Sequence, residues 1–291
     1  MKKLISLFLG VSVLLLAACS KQPDTASSEQ KNDAAGLQTV VIASTGSDAD
    51  IWRHIASLPE TKAAGIKLEV KNFTDYVAMN TAVANKEVDL NAFQSYAYLV
   101  AFNAANKDKI APVSTTYLEP MGIYSNKVKK VEEFAQGATI AIPNDGANES
   151  RALLLLQSAG LIKLKPDFDP VKGTPADIIE NSKKIVIKPI QMATAVRVKD
   201  EVDAILLGNT LAMEGGLNVL KDAIFYEPIN QSTKLNINIL ATAESRKDDP
   251  VLQKVGALYH SEAVKKYVQE HFAGTKVDVN KPISYLTEAK S

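Results

Sequence analysis

Cysteine is nearly missing from this chain: Cys19 is the only one in 291 residues, which excludes an internal disulfide. Histidine is scarce too. His54, His260 and His271 lie far apart on stretches that read as helices, and none has metal-ligand spacing, so each reads as a surface or packing residue. There is no His-Glu-x-x-His, no Gly-x-Ser-x-Gly elbow, no phosphate-binding loop and no dinucleotide fingerprint. Glu132-Glu133 and Asp248-Asp249 are adjacent acids that read as solvated helix starts, not as a spaced catalytic pair. A basic excess is lacking as well, with 33 Lys and Arg against 33 Asp and Glu, so nucleic acid is not an expected partner. These absences favour binding over catalysis; no cofactor, no metal and no enzymatic activity are expected.

The N-terminus is rich in information. Met1-Lys2-Lys3 is a basic start, and Leu4–Leu16 is an apolar run of signal-peptide length, too short to span a bilayer with these flanks. It ends in Leu16-Ala17-Ala18-Cys19, which resembles the bacterial lipobox, where the signal is cut before a cysteine that then carries lipid. An ordinary secretory signal with an incidental cysteine is the alternative. A lipidated Cys19 leaves no free thiol, hence no thiol nucleophile and no thiolate metal site in an exported protein. Losing residues 1–18 removes Lys2 and Lys3, leaving 31 basic and 33 acidic residues, a formal net of −2. Residues 19–36 carry no apolar periodicity and read as a flexible tether. The chain is expected on the extracytoplasmic face of a bacterial envelope membrane, inner or outer undecided; Ser20 is not the Asp of inner-membrane retention.

About 270 mature residues suggest two domains. Leu37–Ser44 and Ile66–Asn72 read as strands, with helices expected over Asp50–Lys62 and Asp75–Lys86. A short strand Val88–Asn91 leads through Phe93-Gln94-Ser95 into a helix from Tyr96 to Asn106. Ile110–Thr116 and Pro120–Tyr124 are extended. A second block gives strands at Ala138–Ile142, Lys184–Lys188 and Val202–Leu207, helices at Asn148–Ala159 and Asp177–Ser182, and a short helix to Gly215. Asp222–Tyr226 and Leu235–Leu240 complete the strands, and Asp249–Phe272 gives two helical segments. Strand alternating with helix predicts α/β architecture with parallel sheets. Two lobes follow, 37–119 with 232–291 and 120–231, the chain crossing near Tyr117–Tyr124 and returning near Glu227–Lys234. Polar residues at strand ends (Asn91, Asn144, Gly208-Asn209, Asn236, Asn238) would face a cleft that closes on a ligand.

The stretch Ala138–Leu156, ATIAIPNDGANESRALLLL, carries the strongest local signal. A buried strand breaks at Pro143-Asn144-Asp145-Gly146, and a Leu-rich helix follows, capped by Asn148 or Asp145 and ended by Gly160. Arg151 falls in or next to the first turn, where a cation opposes the helix dipole. Either it joins free backbone N–H groups in seating a carboxylate or phosphate, or it pairs with a nearby acid such as Glu149.

DLNAFQSYAYL at Asp89–Leu99, FTDY at Phe73–Tyr76 and AIPNDGANESRALLLLQSAGLIKL at Ala141–Leu164 resemble the NlpA family of lipoproteins. So do YLEPMGIYSNK at Tyr117–Lys127 and LLGN at Leu206–Asn209, so the resemblance runs from about Leu37 to Phe272. That family includes the methionine-binding lipoproteins of a bacterial ABC importer. The resemblance implies a two-lobed, periplasmic-binding-protein-like (type II) fold with a ligand cleft between the lobes. It implies a protein that captures methionine or a related amino acid and delivers it to an ABC permease. By position it implies ligand contacts at Tyr76, Phe93, Tyr98, Asn148, Arg151, Asn209 and Asn236, with Ser95 beside the side-chain pocket. Arg151 would meet the α-carboxylate, the asparagines would serve the polar end, and the aromatic rings would wrap the side chain. Asn238 points the same way as Asn236 in a strand, so either could be the contact.

The sequence departs from the methionine-binding pattern at Ser95, where the family usually has His, at Met79 and Ala97-Tyr98, and in the turn Thr45-Gly46-Ser47. Ser95 either opens the pocket or simply caps the helix that starts at Tyr96. The departures lie at the side-chain end, so an amino-acid-like ligand follows more firmly than methionine. An adhesin or envelope component with a vestigial pocket is the second reading, and a secreted α/β enzyme a weaker third.

Overall fold

The computed structural model describes residues 36–228 and 231–288. The expected signal peptide, Cys19 and nearly all of the expected tether lie outside the described residues. Among the described residues no helix is long and apolar enough to cross a membrane.

Two five-stranded sheets organise the chain. The first runs Ile66–Asn72, Gln38–Ser44, Leu90–Ser95, Asn238–Ala243, Ile110–Thr115; the second runs Val186–Ile190, Thr139–Pro143, Ala204–Gly208, Met121–Tyr124, Phe225–Tyr226. In each, the first three strands of that order pair in parallel, and the strands next to the crossings between sheets pair antiparallel. The chain leaves the first sheet after Thr115 and returns to it after Tyr226. The two crossings are tied where Glu227 N–H donates to the Met121 carbonyl at 3.0 Å and Met121 N–H donates to the Glu227 carboxylate at 2.9 Å.

Helices cover both faces of each sheet because both faces are apolar. On one face of the first sheet, helices Gly46–Ser57, Pro250–Tyr259 and Glu262–Phe272 bury Trp52, Ile55, Val255 and Phe272. Trp52 packs on Tyr259 with ring centres 5.4 Å apart. On the other face, helices Tyr76–Ala84 and Tyr96–Ala105 bury Met79, Val83 and Leu99. The second sheet is covered by Gly146–Ser158, whose Leu153 and Leu156 are fully buried, each contributing about 1.5–3 kcal/mol of burial.

The helix of the Leu-rich stretch spans Gly146–Ser158, and of its two candidate caps Asp145 is the one used, accepting from Asn148 N–H. Gly160 follows with φ of +72°, the left-handed conformation that ends a helix readily. Four expected elements differ. Asp50–Lys62 is two helices, Gly46–Ser57 and Pro59–Ala63, because Pro59 lacks the N–H that would continue the first. Asp177–Ser182 is no helix: one 3-10 turn, Pro175–Asp177, is closed by reciprocal Thr174 and Asp177 caps, and Ile178–Glu180 then pairs as a strand with Lys163–Leu164. The strand expected at Val88–Asn91 runs Leu90–Ser95, through Phe93-Gln94-Ser95. Leu235–Leu240 is a 3-10 turn through Asn236, and the strand starts only at Asn238. Asn236 and Asn238 therefore do not share one strand face.

The histidines, distant in sequence, partly converge: His54 and His271 stack against Tyr267, at 4.1 and 4.0 Å between ring centres. His260 lies between Asp278 and the Thr115 carbonyl. Among the described residues no group of three or more His, Cys, Asp or Glu is placed to hold a metal ion.

Gly122 fixes how closely the second sheet meets the segment at Val219–Ala223. A Cβ there would lie 2.9 Å from both Val219 Cγ2 and Ala223 Cβ. Gly122→Ala is therefore expected to lower the unfolding free energy by about 1–3 kcal/mol in urea titration. Unchanged stability would show that this packing yields freely.

Candidate functional site

A cavity opens between the two sheets where strand ends give way to helix starts. From the first sheet come Tyr76, the first residue of its helix; Phe93 and Gln94, near the end of their strand; Ser95, which caps Tyr96–Ala105; and Tyr98 in that helix. From the second come Asn148 and Arg151, in the early turns of Gly146–Ser158, and Gly208, Thr210 and Leu211 around the start of Asn209–Glu214. Such ends of α/β strands gather helix N-termini and their free N–H groups, which suits an anionic group.

One wall is aromatic. Tyr76, Phe93 and Tyr98 pack mutually with ring centres 5.0, 5.7 and 6.3 Å apart, two of the contacts edge-to-face. Burial, with the negative charges of Glu214, Asp48 and Glu119 nearby, pushes the Tyr76 phenol far up, so it stays protonated. Beneath this wall lies a closed amide cluster. Asn80 Nδ2 donates to Gln94 Oε1 at 2.9 Å, and Asn91 Nδ2 and Gln94 Nε2 donate to Asn80 Oδ1 at 2.8 and 2.7 Å. These buried amides satisfy one another and so fix the backbone that carries Phe93 and Ser95. Ser95 accepts from Tyr98 N–H at 3.2 Å and also lines the cavity, so capping and lining coexist.

The polar end is built on buried ions. Arg151 pairs with Glu227, 76 positions on, rather than with Glu149. Its Nε donates to both Glu227 oxygens at 2.8 and 3.1 Å, and its Nη2 to Glu227 Oε2 at 2.5 Å and to the Glu119 carbonyl at 2.8 Å. Burial alone would lower the guanidinium's pKa, but Glu227 outweighs it and holds Arg151 charged. Lys276 lies between Asp48 and Glu119, at 2.9 and 2.6 Å, and also donates to Thr210 Oγ1 at 2.8 Å. Burial pushes the Asp48 carboxyl up despite Lys276, whereas at Glu119 Lys276, Asn209 and Arg151 overcome burial and hold the carboxyl below its usual range.

The predicted site residues divide. Tyr76, Phe93, Ser95, Tyr98, Asn148 and Arg151 line one cavity. Asn209 is fully buried beside it, donating to Glu119 Oε2 at 3.2 Å and to Thr275 Oγ1 at 3.0 Å. Asn236 lies in a second cavity with Leu154, Phe168 and Leu286, while Asn238 lines the first. Asp48, Glu119, Glu227 and Lys276 were missed as site residues. Glu119 stands in YLEPM and Asp48 directly after the turn Thr45-Gly46-Ser47, but their partners are remote in sequence and no local spacing announces them.

The model of the NlpA lipoprotein family matches residues 40–280 of this chain. The chain is similar to the probable D-methionine-binding lipoprotein MetQ of Pasteurella multocida, 34% identical over 94% of this chain and 96% of that protein. It is also similar to outer membrane lipoprotein 2 of Mannheimia haemolytica, 36% identical over 94% of this chain and 97% of that one. Among solved structures, the substrate-binding protein of a methionine transporter from Streptococcus pneumoniae superposes with a TM-score of 0.76. It is 38% identical, over 83% of this chain and 95% of that chain. The two-lobed binding-protein architecture read from the sequence is therefore present.

Glu227→Gln removes the carboxylate that faces Arg151 and leaves a guanidinium buried against a neutral amide. The expected loss is about 3–5 kcal/mol of unfolding free energy by denaturant titration. A loss below about 1 kcal/mol would mean that water already screens the pair.

Proposed function

The chain belongs to the NlpA lipoprotein family, and we propose that it captures methionine or a closely related amino acid and hands it to an ABC permease. It is a binding protein, not an enzyme. The observation that carries the reading is one cavity with an aromatic wall at one end and Arg151 at the other. Methionine has that polarity, a thioether that gains about 0.3–1.5 kcal/mol per aromatic contact and a carboxylate that suits a guanidinium. Glu227 and the Glu119 carbonyl take the Nε and Nη2 of Arg151, so its Nη1 is the group left for the ligand carboxylate, with Asn148 beside it. Tyr76, Phe93, Ser95 and Tyr98 would surround the side chain, Asn238 would reach the cavity in place of Asn236, and Asn209 would act through Glu119.

Residues 1–18 would be the signal peptide, Cys19 the lipid attachment and 19–36 the tether to the membrane. The lobes would be 37–119 with 232–291 and 120–231, closing on the ligand because it contacts both lobes only in the closed state. A relative named as an outer membrane lipoprotein keeps a second reading open, an envelope component in which the pocket is idle.

A thermal-shift screen of amino acids, both enantiomers of methionine included, separates the readings. Methionine at 100 times its dissociation constant is expected to add about 2.7 kcal/mol, or roughly 5–10 °C. Arg151→Lys keeps a cation opposite Glu227 but loses the fork, and is expected to weaken binding about 10- to 100-fold by calorimetry. No shift with any amino acid would favour the envelope reading. Unchanged affinity in Arg151→Lys would remove that residue from the ligand's polar end.

A further inference from the structure

We infer that Thr275 and Lys276 form a clasp between the two lobes beside the first crossing, positioning residues for ligand capture that do not themselves touch the ligand. The inference rests on the proposal that the lobes close on an amino acid.

The clasp follows from an unusual turn. Helix Glu262–Phe272 ends in Ala273 and Gly274, both with positive φ, +47° and +79°. Glycine adopts this conformation freely, whereas alanine resists it, so something must hold Ala273 there. The turn drives the next two residues inward: Thr275 is fully buried and the Lys276 side chain has no solvent exposure. Val277–Asp278 then pairs with Tyr117–Leu118 on the first crossing, so the segment is fixed on both sides.

Inside, the segment grips both lobes. Asn209 Nδ2, at the start of a helix of the second sheet, donates to Thr275 Oγ1 at 3.0 Å. Lys276 has three N–H donors, and three oxygens receive them: Asp48 of the first lobe, Glu119 of the crossing and Thr210 of the second lobe. The ammonium also lies 4.0 Å from the centre of the Tyr117 ring, a cation–π contact. Parting the lobes takes Asn209 from Thr275 and Thr210 from Lys276, and takes both from Glu119, which with Asp48 stays with the lysine. The bonds lost are therefore those that exist only when the lobes meet, and they bias the lobes towards closure before any ligand contact is counted.

Spin labels on the two lobes test this. The full chain carrying Cys19→Ser has no cysteine, so Lys71→Cys and Lys188→Cys, both exposed, place one label on the edge strand of each sheet. In this parent, added methionine is expected to shorten the label distance; a parent that never responds overturns the ligand reading, and the clasp is then judged on ligand-free distances alone. Against a responding parent, Lys276→Met is expected to lengthen the ligand-free distance and to need about 10- to 100-fold more methionine to close. Thr275→Val breaks the tie to Asn209 together with the hydroxyl's bond to the Phe272 carbonyl in its own turn, leaves no buried charge unpaired, and is expected to shift in the same direction by a smaller factor. If Lys276→Met does not fold, Thr275→Val decides alone. Ligand-free distances and closing midpoints equal to the parent's overturn the clasp.

Discussion

Five charged side chains are buried where the two sheets meet, and the site depends on their being paired. Arg151 is held by Glu227, and Lys276 by Asp48 and Glu119. Removing such charges from water costs several kcal/mol each, which close pairing must offset. These pairs therefore serve geometry more than stability. Glu227 lies on the return crossing and Glu119 on the outward one, so the guanidinium at the polar end is tied to the two segments that join the sheets. A ligand carboxylate meeting Arg151 would thus act on a group already coupled to both crossings.

The aromatic end is built differently. Its shape comes from mutual ring packing over the closed Asn80, Asn91 and Gln94 cluster, with no charge among those side chains. Ser95 belongs to this end and caps the following helix while lining the cavity. A hydroxyl there leaves space that an imidazole would fill. A change at Ser95 would therefore reshape this end of the cavity without disturbing the ion pairs at the other end.

Much of this was legible in the sequence because local physics wrote it there. The strand, turn and helix around Arg151 follow from Ala138–Leu156, and the capping by Ser95 follows from its place before Tyr96. The helix expected at Asp177–Ser182 failed because Ile178 and Glu180 found strand partners in Leu164 and Lys163, a pairing that local propensity does not reveal. The partner of Arg151 was illegible for the same reason: Glu227 is brought to it only by the return crossing. Lys276 gave no sign at all, since a lysine near the end of a chain ordinarily reads as solvated, and only the turn at Ala273-Gly274 carries it inside.

The most direct test of the account is a crystal structure grown with methionine. The carboxylate is expected on Arg151 Nη1 and Asn148, the thioether among Tyr76, Phe93 and Tyr98, and Glu227 still holding the other edge of the guanidinium. Methionine bound elsewhere, or absent from this cavity at saturating concentration, would contradict it.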